Sequence, residues 1–83
     1  MQKKMNIEIT AFGIAKDILN QKKLSIKLNG ATVGELRNQL MVDFPAFEKL
    51  RSLKFAVNTE YVEDTFELKE TDEVVLIPPV SGG

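Results

Sequence analysis

The chain has 83 residues, enough for one small domain with a modest core. Apolar residues make up 43% of it and charged residues 28%, the balance of an ordinary globular protein. It contains no Cys and no His, which excludes disulfides, thiolate chemistry and the usual zinc sites. Neither a secretory signal nor a membrane-spanning apolar segment is present, so we expect a cytoplasmic protein that binds no membrane.

The formal net charge is −1, but the charges are distributed unevenly along the chain. Residues 1–54 carry ten Lys and Arg and five Asp and Glu, whereas residues 55–83 carry one Lys and seven acids. A nucleic-acid-binding domain usually has a dense basic stripe. Because the lysines are scattered, we expect no nucleic-acid partner. The acidic second half suits a basic protein partner, although solvated loop acids explain it equally well.

Alternation of apolar and polar residues predicts two strands early in the chain, at residues 5–12 and 24–28. Phe12 falls on the polar face of the first strand. Between the two strands, residues 13–20 can form a helical turn or a loop. The side chains predicted to point inward are Ile7, Ile9, Ala11, Leu24, Ile26 and Leu28.

A helix is predicted to begin at Thr32, because Thr32 and Glu35 have the spacing of a capping box. Apolar residues then recur at helical spacing, and Pro45 disfavours helix at the residue before it. This stripe predicts a helix that packs on one face of a sheet. Its members are Val33, Leu36, Leu40, Met41 and Phe44, and the residues predicted to face away are Glu35, Arg37, Asn38 and Asp43.

Three more strands are predicted in the second half of the chain. Residues 53–58 form a strand, residues 61–62 a short return strand, and residues 73–77 a last strand that Pro78 ends. The last strand is apolar on both faces, which is typical of a central strand, and we place it beside the first strand. The order of elements predicts an α+β fold: a mixed sheet with one main helix on one face.

No second helix is predicted to cover the other face of this sheet. Outward-pointing apolar side chains would then form an exposed patch, and such patches usually mark interaction sites. The alternative is that the loop at residues 63–72 folds over them. The predicted patch consists of Phe12, Tyr61, Val75 and Ile77.

The sequence offers little chemistry for unaided catalysis. Its serines have no obvious base partner, and no glycine-rich loop has the pattern that cradles a phosphate. One acidic group has a spacing that fits no calcium loop, so we expect solvated loop acids and no bound metal or cofactor. That group is Glu60, Glu63, Asp64 and Glu67.

The final residues, PPVSGG, suit a segment that enters the active site of another protein. Proline lowers the cost of ordering on binding, and glycine has no side chain to obstruct a narrow channel. The reactive group would be the carboxylate of Gly83, activated first, for example as an acyl-adenylate. We expect a flexible extension at 1–4, a domain at 5–77 and a reactive tail consisting of Pro78, Pro79, Val80, Ser81, Gly82 and Gly83.

The element order, together with "AVN" at 56–58, "DEV" at 72–74 and "PPVSGG" at 78–83, resembles the family of molybdopterin synthase small subunits. These are ubiquitin-like sulfur carriers with the β-grasp fold. The resemblance covers nearly the whole chain, and the terminal motif is its most specific part. Two positions depart from the common pattern: Ile77 replaces a frequent aromatic residue, and Thr71 replaces a frequent glycine.

The resemblance implies a cycle of activation and sulfur transfer. A ubiquitin-activating-like adenylating enzyme uses ATP to activate the carboxylate of Gly83, and a sulfur donor protein converts it to a thiocarboxylate. The large synthase subunit takes the loaded tail into its active site, where two carriers in turn convert cyclic pyranopterin monophosphate into the dithiolene of molybdopterin. The family assembles as a heterotetramer, and its catalytic residues lie on the large subunit.

By motif position, the resemblance assigns partner contacts to Phe12, Tyr61 and Ile77, which alternation also places outward. Three alternatives stay open. The chain could be a thiamine-type sulfur carrier, a ubiquitin-like modifier joined to lysines through Gly83, or an interaction domain with an accidental Gly-Gly end.

Overall fold

The structure is a computed structural model, and it describes residues 4–50 and 53–78. A five-stranded mixed sheet forms its centre, with the strand order β2-β1-β5-β3-β4. The strands are β1 (Lys4–Ala11), β2 (Lys23–Asn29), β3 (Lys54–Val57), β4 (Glu60–Val62) and β5 (Glu73–Ile77). The helical segments are α1 (Gly13–Leu19), α2 (Val33–Asp43) and a 3₁₀ helix (Pro45–Leu50).

The first and last strands lie side by side at the centre of the sheet, which confirms the prediction from β5's apolar residues. They run parallel, with Ile9 opposite Val74 and Ala11 opposite Leu76. The other strand pairs are antiparallel. With the main helix on one face, this is the predicted β-grasp arrangement. Strand β1 begins at Lys4, one residue earlier than predicted, and residues 1–3 of the predicted extension lie outside the described residues.

Helix α2 begins where the capping box predicts. The hydroxyl of Thr32 accepts a hydrogen bond from the Glu35 backbone N–H at 3.2 Å. In return, the Glu35 carboxylate accepts from the N–H groups of Ala31 and Thr32 at 2.8 and 3.1 Å. The predicted apolar stripe faces the core, with Val33, Leu36 and Leu40 fully buried and Met41 and Phe44 packed at its margin.

The capping box should make the stability of the fold sensitive to acid. Hydrogen bonds from the Ala31 and Thr32 backbone and the Thr32 hydroxyl hold the pKa of Glu35 below its ordinary value of 4.5. A pKa lowered by folding means that the carboxylate stabilises the fold above pH 4.5, and that this contribution is lost as the pH falls through the folded-state value. The free energy of unfolding should therefore fall on acidification.

A Glu35→Gln variant tests this expectation, because glutamine keeps an acceptor oxygen but does not titrate. Urea denaturation of both proteins at about pH 5 and about pH 3 gives the pH dependence of the free energy of unfolding. We expect a steeper loss in the original chain than in the variant. The same pH dependence in both would contradict the role given to Glu35.

Two short segments differ from what the sequence predicts. Residues 13–19 form a regular seven-residue helix, α1, where the sequence predicts only a helical turn or a loop at 13–20. The chain after Pro45 forms a 3₁₀ helix that buries Phe47 and Leu50, an element that was not predicted. Each segment is too short for apolar periodicity to be clear. In β2, Leu24 and Ile26 are only half-buried, because this strand lies at an edge of the sheet.

Arg37 does not face away from the core, so that prediction is wrong. Its guanidinium lies 4.9 Å from the centroid of the Phe55 ring. It donates to the Leu53 carbonyl at 2.8 Å and to the Asp64 carboxylate at 3.0 Å. A long aliphatic stem lets an arginine on the polar side of a helix bend back over apolar surface. Arg37 thereby fastens α2 to the start of β3 and to the loop after β4.

Candidate partner-binding face

All three helical segments contribute to one core cluster on a single side of the sheet. Residues that alternate with the buried ones therefore point to the opposite, open face. Tyr61 and Val75 are both registered opposite Ala56, so a strand spacing of about 4.8 Å puts them about 10 Å apart. Tyr61 is 69% exposed, and Val75 is partly exposed. One row thus crosses all five strands: Tyr61, Ala56, Val75, Thr10 and Lys23.

Phe12 and Ile77 lie beside this row, two residues beyond Thr10 and Val75 in the direction of the end of β5. Ala11 is registered opposite Leu76, and Phe12 and Ile77 are the residues that follow. Phe12 is 47% exposed, and the ammonium of Lys22 lies 5.4 Å from the centroid of its ring. The structure therefore places the four residues of the predicted patch at neighbouring positions on one face. We call Phe12, Tyr61, Val75 and Ile77 the apolar patch.

The loop between β4 and β5 does not cover the apolar patch. Val33 N–H donates to the Phe66 carbonyl at 3.0 Å, and Gly34 N–H donates to the Asp64 carbonyl at 2.9 Å. A Cβ on Gly34 would lie 3.3 Å from that Asp64 oxygen, so the glycine allows the close approach. Leu68 of the loop is buried in the core. The loop lies on the helix side, and the alternative that it buries the patch is wrong.

Pro78, the first residue of the predicted tail, lies beside the apolar patch. A Cβ added to Gly13 would lie 3.4 Å from the Pro78 Cγ, and the φ angle of Gly13 is +59°, a value that favours glycine. The Phe12–Gly13 turn therefore packs where the predicted tail begins. The other tail residues of the prediction, Pro79, Val80, Ser81, Gly82 and Gly83, lie outside the described residues.

Ile14 is an exposed apolar residue that the sequence did not reveal. It is 51% exposed at the start of α1, directly after the Phe12–Gly13 turn. Ala15 and Leu19 of the same helix, four residues apart, are buried. Once a helix is assumed at 13–19, this spacing turns Ile14 outward. That signal could have been read only if the helix itself had been predicted.

The acids that the sequence offered as metal ligands are Glu60, Glu63, Asp64 and Glu67. Within residues 4–50 and 53–78, no three Asp or Glu side chains are placed to hold a metal ion. Asp64, one of the acids weighed as a ligand, instead pairs with Arg37 at 3.0 Å. Glu60, Glu63 and Glu67 are exposed, as expected of solvated loop acids.

In the part of the chain that the structure describes, no helix has the length and apolar character needed to cross a membrane.

Known proteins match this chain along nearly its whole length. The model of the ThiS family matches residues 9–83. Among curated proteins, the molybdopterin synthase sulfur carrier subunit of Arabidopsis thaliana is 32% identical over 81 residues. That match covers 95% of this chain and 84% of the relative. The likeness therefore spans the folded domain and the terminal segment together.

Solved structures share this fold, and two of them are similar to this chain over nearly its whole length. The first is a chain in the protein–protein complex of subunits 1 and 2 of molybdopterin-converting factor from Helicobacter pylori. It is 27% identical with a TM-score of 0.67, over 95% of this chain and 100% of that one. The second is SAMP1 from Haloferax volcanii, 25% identical with a TM-score of 0.77, over 94% and 99% of the two chains. On the family match and these likenesses, the chain belongs to the ThiS family and has the ubiquitin-like β-grasp fold.

Proposed function

We propose that this chain is the sulfur carrier subunit of a molybdopterin synthase, and that the carboxylate of Gly83 carries the sulfur. The observation that carries the proposal is the exposed apolar patch beside Pro78, which stands four residues before the Gly-Gly sequence. Two comparisons support it. The family match extends to Gly83, and the relative from Arabidopsis thaliana is a sulfur carrier subunit.

The partner that we propose for the apolar patch is the large synthase subunit. The Helicobacter pylori complex, in which a chain of this fold is found with subunit 2, supports this choice. Phe12 and Tyr61 are exposed, and both residue types are enriched in the buried parts of interfaces, with tyrosine also a frequent anchor. Docking at the patch would bring Pro78 to the surface of the large subunit, so that the following residues can enter its active site.

The proposed chemistry follows from the properties of a carboxylate, which is a poor electrophile at neutral pH. An adenylating enzyme joins the Gly83 carboxylate to AMP from ATP and releases pyrophosphate. The outer sulfur of a persulfide on a donor protein then attacks the acyl carbon, and AMP leaves. A second thiol of the donor protein attacks the resulting acyl disulfide, so that the thiocarboxylate is released and the donor is oxidised to a disulfide. Within the large subunit, the sulfur of the thiocarboxylate bonds to cyclic pyranopterin monophosphate, and water then cleaves the acyl–sulfur bond, which restores the Gly83 carboxylate. This chain contributes the acyl group and the docking surface, while ATP and the catalytic side chains belong to its partners.

A second candidate function is a protein modifier, and the likeness to SAMP1, a small archaeal modifier protein, favours it. The same activated Gly83 would then be attacked by a lysine amino group and form an isopeptide bond. The two functions share the adenylation step and differ in the nucleophile that follows. The products therefore separate them: a thiocarboxylate on the free chain, or adducts with other proteins.

Reconstitution from purified components tests the proposed function. The chain is incubated with the adenylating enzyme, ATP and a sulfur donor, and is then mixed with the large subunit and cyclic pyranopterin monophosphate. We expect molybdopterin to form, and none in a matched reaction without ATP. A carrier subunit that is already known to be active with this large subunit serves as the positive control. If molybdopterin forms with that carrier but not with this chain, the proposal is wrong.

Phe12→Ala should weaken binding to the large subunit by more than about 1 kcal/mol, because a buried aromatic anchor would be lost from the interface. The fold should be unchanged, since Phe12 is exposed. Calorimetry with the purified large subunit measures the affinity. Phe66→Ala is the matched control, because Phe66 is also exposed but lies in the loop on the helix side. Unchanged affinity of the Phe12 variant would reject this residue as an anchor.

A further inference from the structure

Strand β2 forms one edge of the sheet, so half of its backbone groups point away from β1. Ala11 N–H donates to the Lys22 carbonyl at 2.7 Å, and the antiparallel register continues with Ile9 opposite Leu24 and Ile7 opposite Ile26. In such a ladder every second residue directs its N–H and C=O outward. The outward residues of β2 are Lys23, Ser25, Lys27 and Asn29.

Helix α2 already occupies one end of this outward edge through Gln39. The Gln39 side-chain N–H donates to the Lys27 carbonyl at 2.6 Å, and its carbonyl oxygen accepts from the Asn29 N–H at 2.9 Å. One residue of a parallel neighbouring strand would make the same two bonds through its own N–H and C=O. The side-chain amide thus takes the place of a strand residue, and the outward groups of β2 are accessible to strand-type hydrogen bonds.

The rest of this edge, from Lys23 to Lys27, has no such cover. Among the described residues, nothing pairs with the outward backbone groups of Lys23 and Ser25 or with the N–H of Lys27. The two lysine side chains are exposed, and no described carboxylate forms an ion pair with them. On the helix side, Leu24 and Ile26 are half-buried against the core. An added strand would lie next to Lys23, Ser25 and Lys27 on one face, with Glu8 one strand further in, opposite Ser25. On the other face it would meet apolar side chains.

We propose that this edge of β2 binds an extended acidic segment of a partner protein by strand addition. Acidic residues of the segment would lie toward Lys23 and Lys27, and the apolar residues between them would pack toward Leu24 and Ile26. In this mode of recognition, main-chain hydrogen bonds give affinity and the alternating side chains give specificity. The surface uses neither the apolar patch nor Gly83, so it can fail or succeed independently of sulfur transfer.

A second copy of this chain does not fit the same edge. If two β2 strands paired antiparallel about Ser25, Lys23 of each copy would lie opposite Lys27 of the other. Like charges directly opposite each other on neighbouring strands are destabilising, and edge lysines are a common protection against such pairing. The charge pattern therefore favours an acidic partner over self-association.

The probe for this proposal is the capped pentapeptide Asp-Val-Asp-Val-Asp, titrated into the nitrogen-15-labelled full chain. Strand addition predicts that the backbone amide resonances of Ser25 and Lys27 shift most, because their N–H groups gain a hydrogen bond. The amides of Leu24 and Ile26 should shift little, since they already bond to β1. This alternation distinguishes strand addition from a loose attraction between charges.

Two controls complete the experiment. Exchanging both lysines, Lys23→Glu with Lys27→Glu, should weaken peptide binding by about tenfold or more, because attraction becomes repulsion. Lys49→Glu, on the 3₁₀ helix, should leave binding unchanged. The peptide Lys-Val-Lys-Val-Lys should not bind. No shifts at about 1 mM of the acidic peptide, or equal shifts at the four amides of residues 24–27, would overturn the proposal, because the lysines would then serve only to protect the edge.

Discussion

Deletion of Gly83 should lower the rate of thiocarboxylate formation by on the order of 100-fold or more. The shortened chain still ends in a glycine carboxylate, that of Gly82, so the chemistry of the acyl group is preserved. Its position is not, because one extended residue spans up to about 3.3–3.6 Å. Misplacement by about 1 Å can already cost on the order of 100-fold in rate. The assay contains the adenylating enzyme, ATP and a sulfur donor.

Two companion variants separate the position of the carboxylate from the passage of the tail. One added alanine after Gly83 should be as damaging as the deletion, because the acyl group would extend past the activating site. Gly82→Leu should block a narrow channel without moving the carboxylate along the chain. The thermal stability of all three variants should match the original protein, because the changes follow β5. Sulfur loading at the full rate in the deletion variant would contradict the carrier function.

Leu40→Ala should lower the free energy of unfolding by about 2–5 kcal/mol, the usual cost of such a cavity. Leu40 is 1% exposed, at the centre of the face that α2 turns to the sheet. A small domain has only about 5–15 kcal/mol in total, so this is a large share of its stability.

Chemical denaturation measures the loss, and the same helix provides the control. Val42 is 78% exposed, so Val42→Ala should change the stability by less than about 0.5 kcal/mol. A change that small for Leu40→Ala as well would mean that α2 does not pack on the sheet through this face.

The elements with strong local signals could be predicted from the sequence. Alternation in β1 placed Ile7 and Ile9 in the core, and the spacing of Thr32 and Glu35 located the start of α2. The apolar run in β5 indicated a central strand. In each case the relevant periodicity or cap lies within a few consecutive residues, so no knowledge of the tertiary fold was needed.

The features that depend on distant residues could not be predicted in this way. Arg37 looked like a solvated helix residue, but its partners Leu53 and Asp64 lie 16 and 27 residues further along the chain. Similarly, α1 is a seven-residue helix that contacts β5 and the 3₁₀ helix, both far away in sequence, as well as the adjacent β1. Short elements of this kind form because the tertiary structure stabilises them, and they leave a weak pattern.

The candidate site also contains both kinds of feature: some that the local sequence predicts and some that depend on distant residues. Alternation alone predicted that Tyr61 and Val75 face the open side of the sheet, and the structure agrees with that placement. The packing of Gly13 beside Pro78 joins residues from opposite ends of the chain, and only the folded structure reveals it. The role of Gly83 rests on the terminal motif and on family membership, since this residue lies outside the described part of the chain.

Intact-mass analysis of the protein purified from its native host, with fragmentation of the C-terminal segment, is the most direct test of sulfur carriage by Gly83. We predict a population that is heavier than the unmodified chain by the difference between one sulfur and one oxygen atom, with the added mass located at Gly83. Chains joined to other proteins through Gly83 would instead indicate the modifier function. If cells that are making molybdopterin contain only the unmodified carboxylate, the proposed function is contradicted.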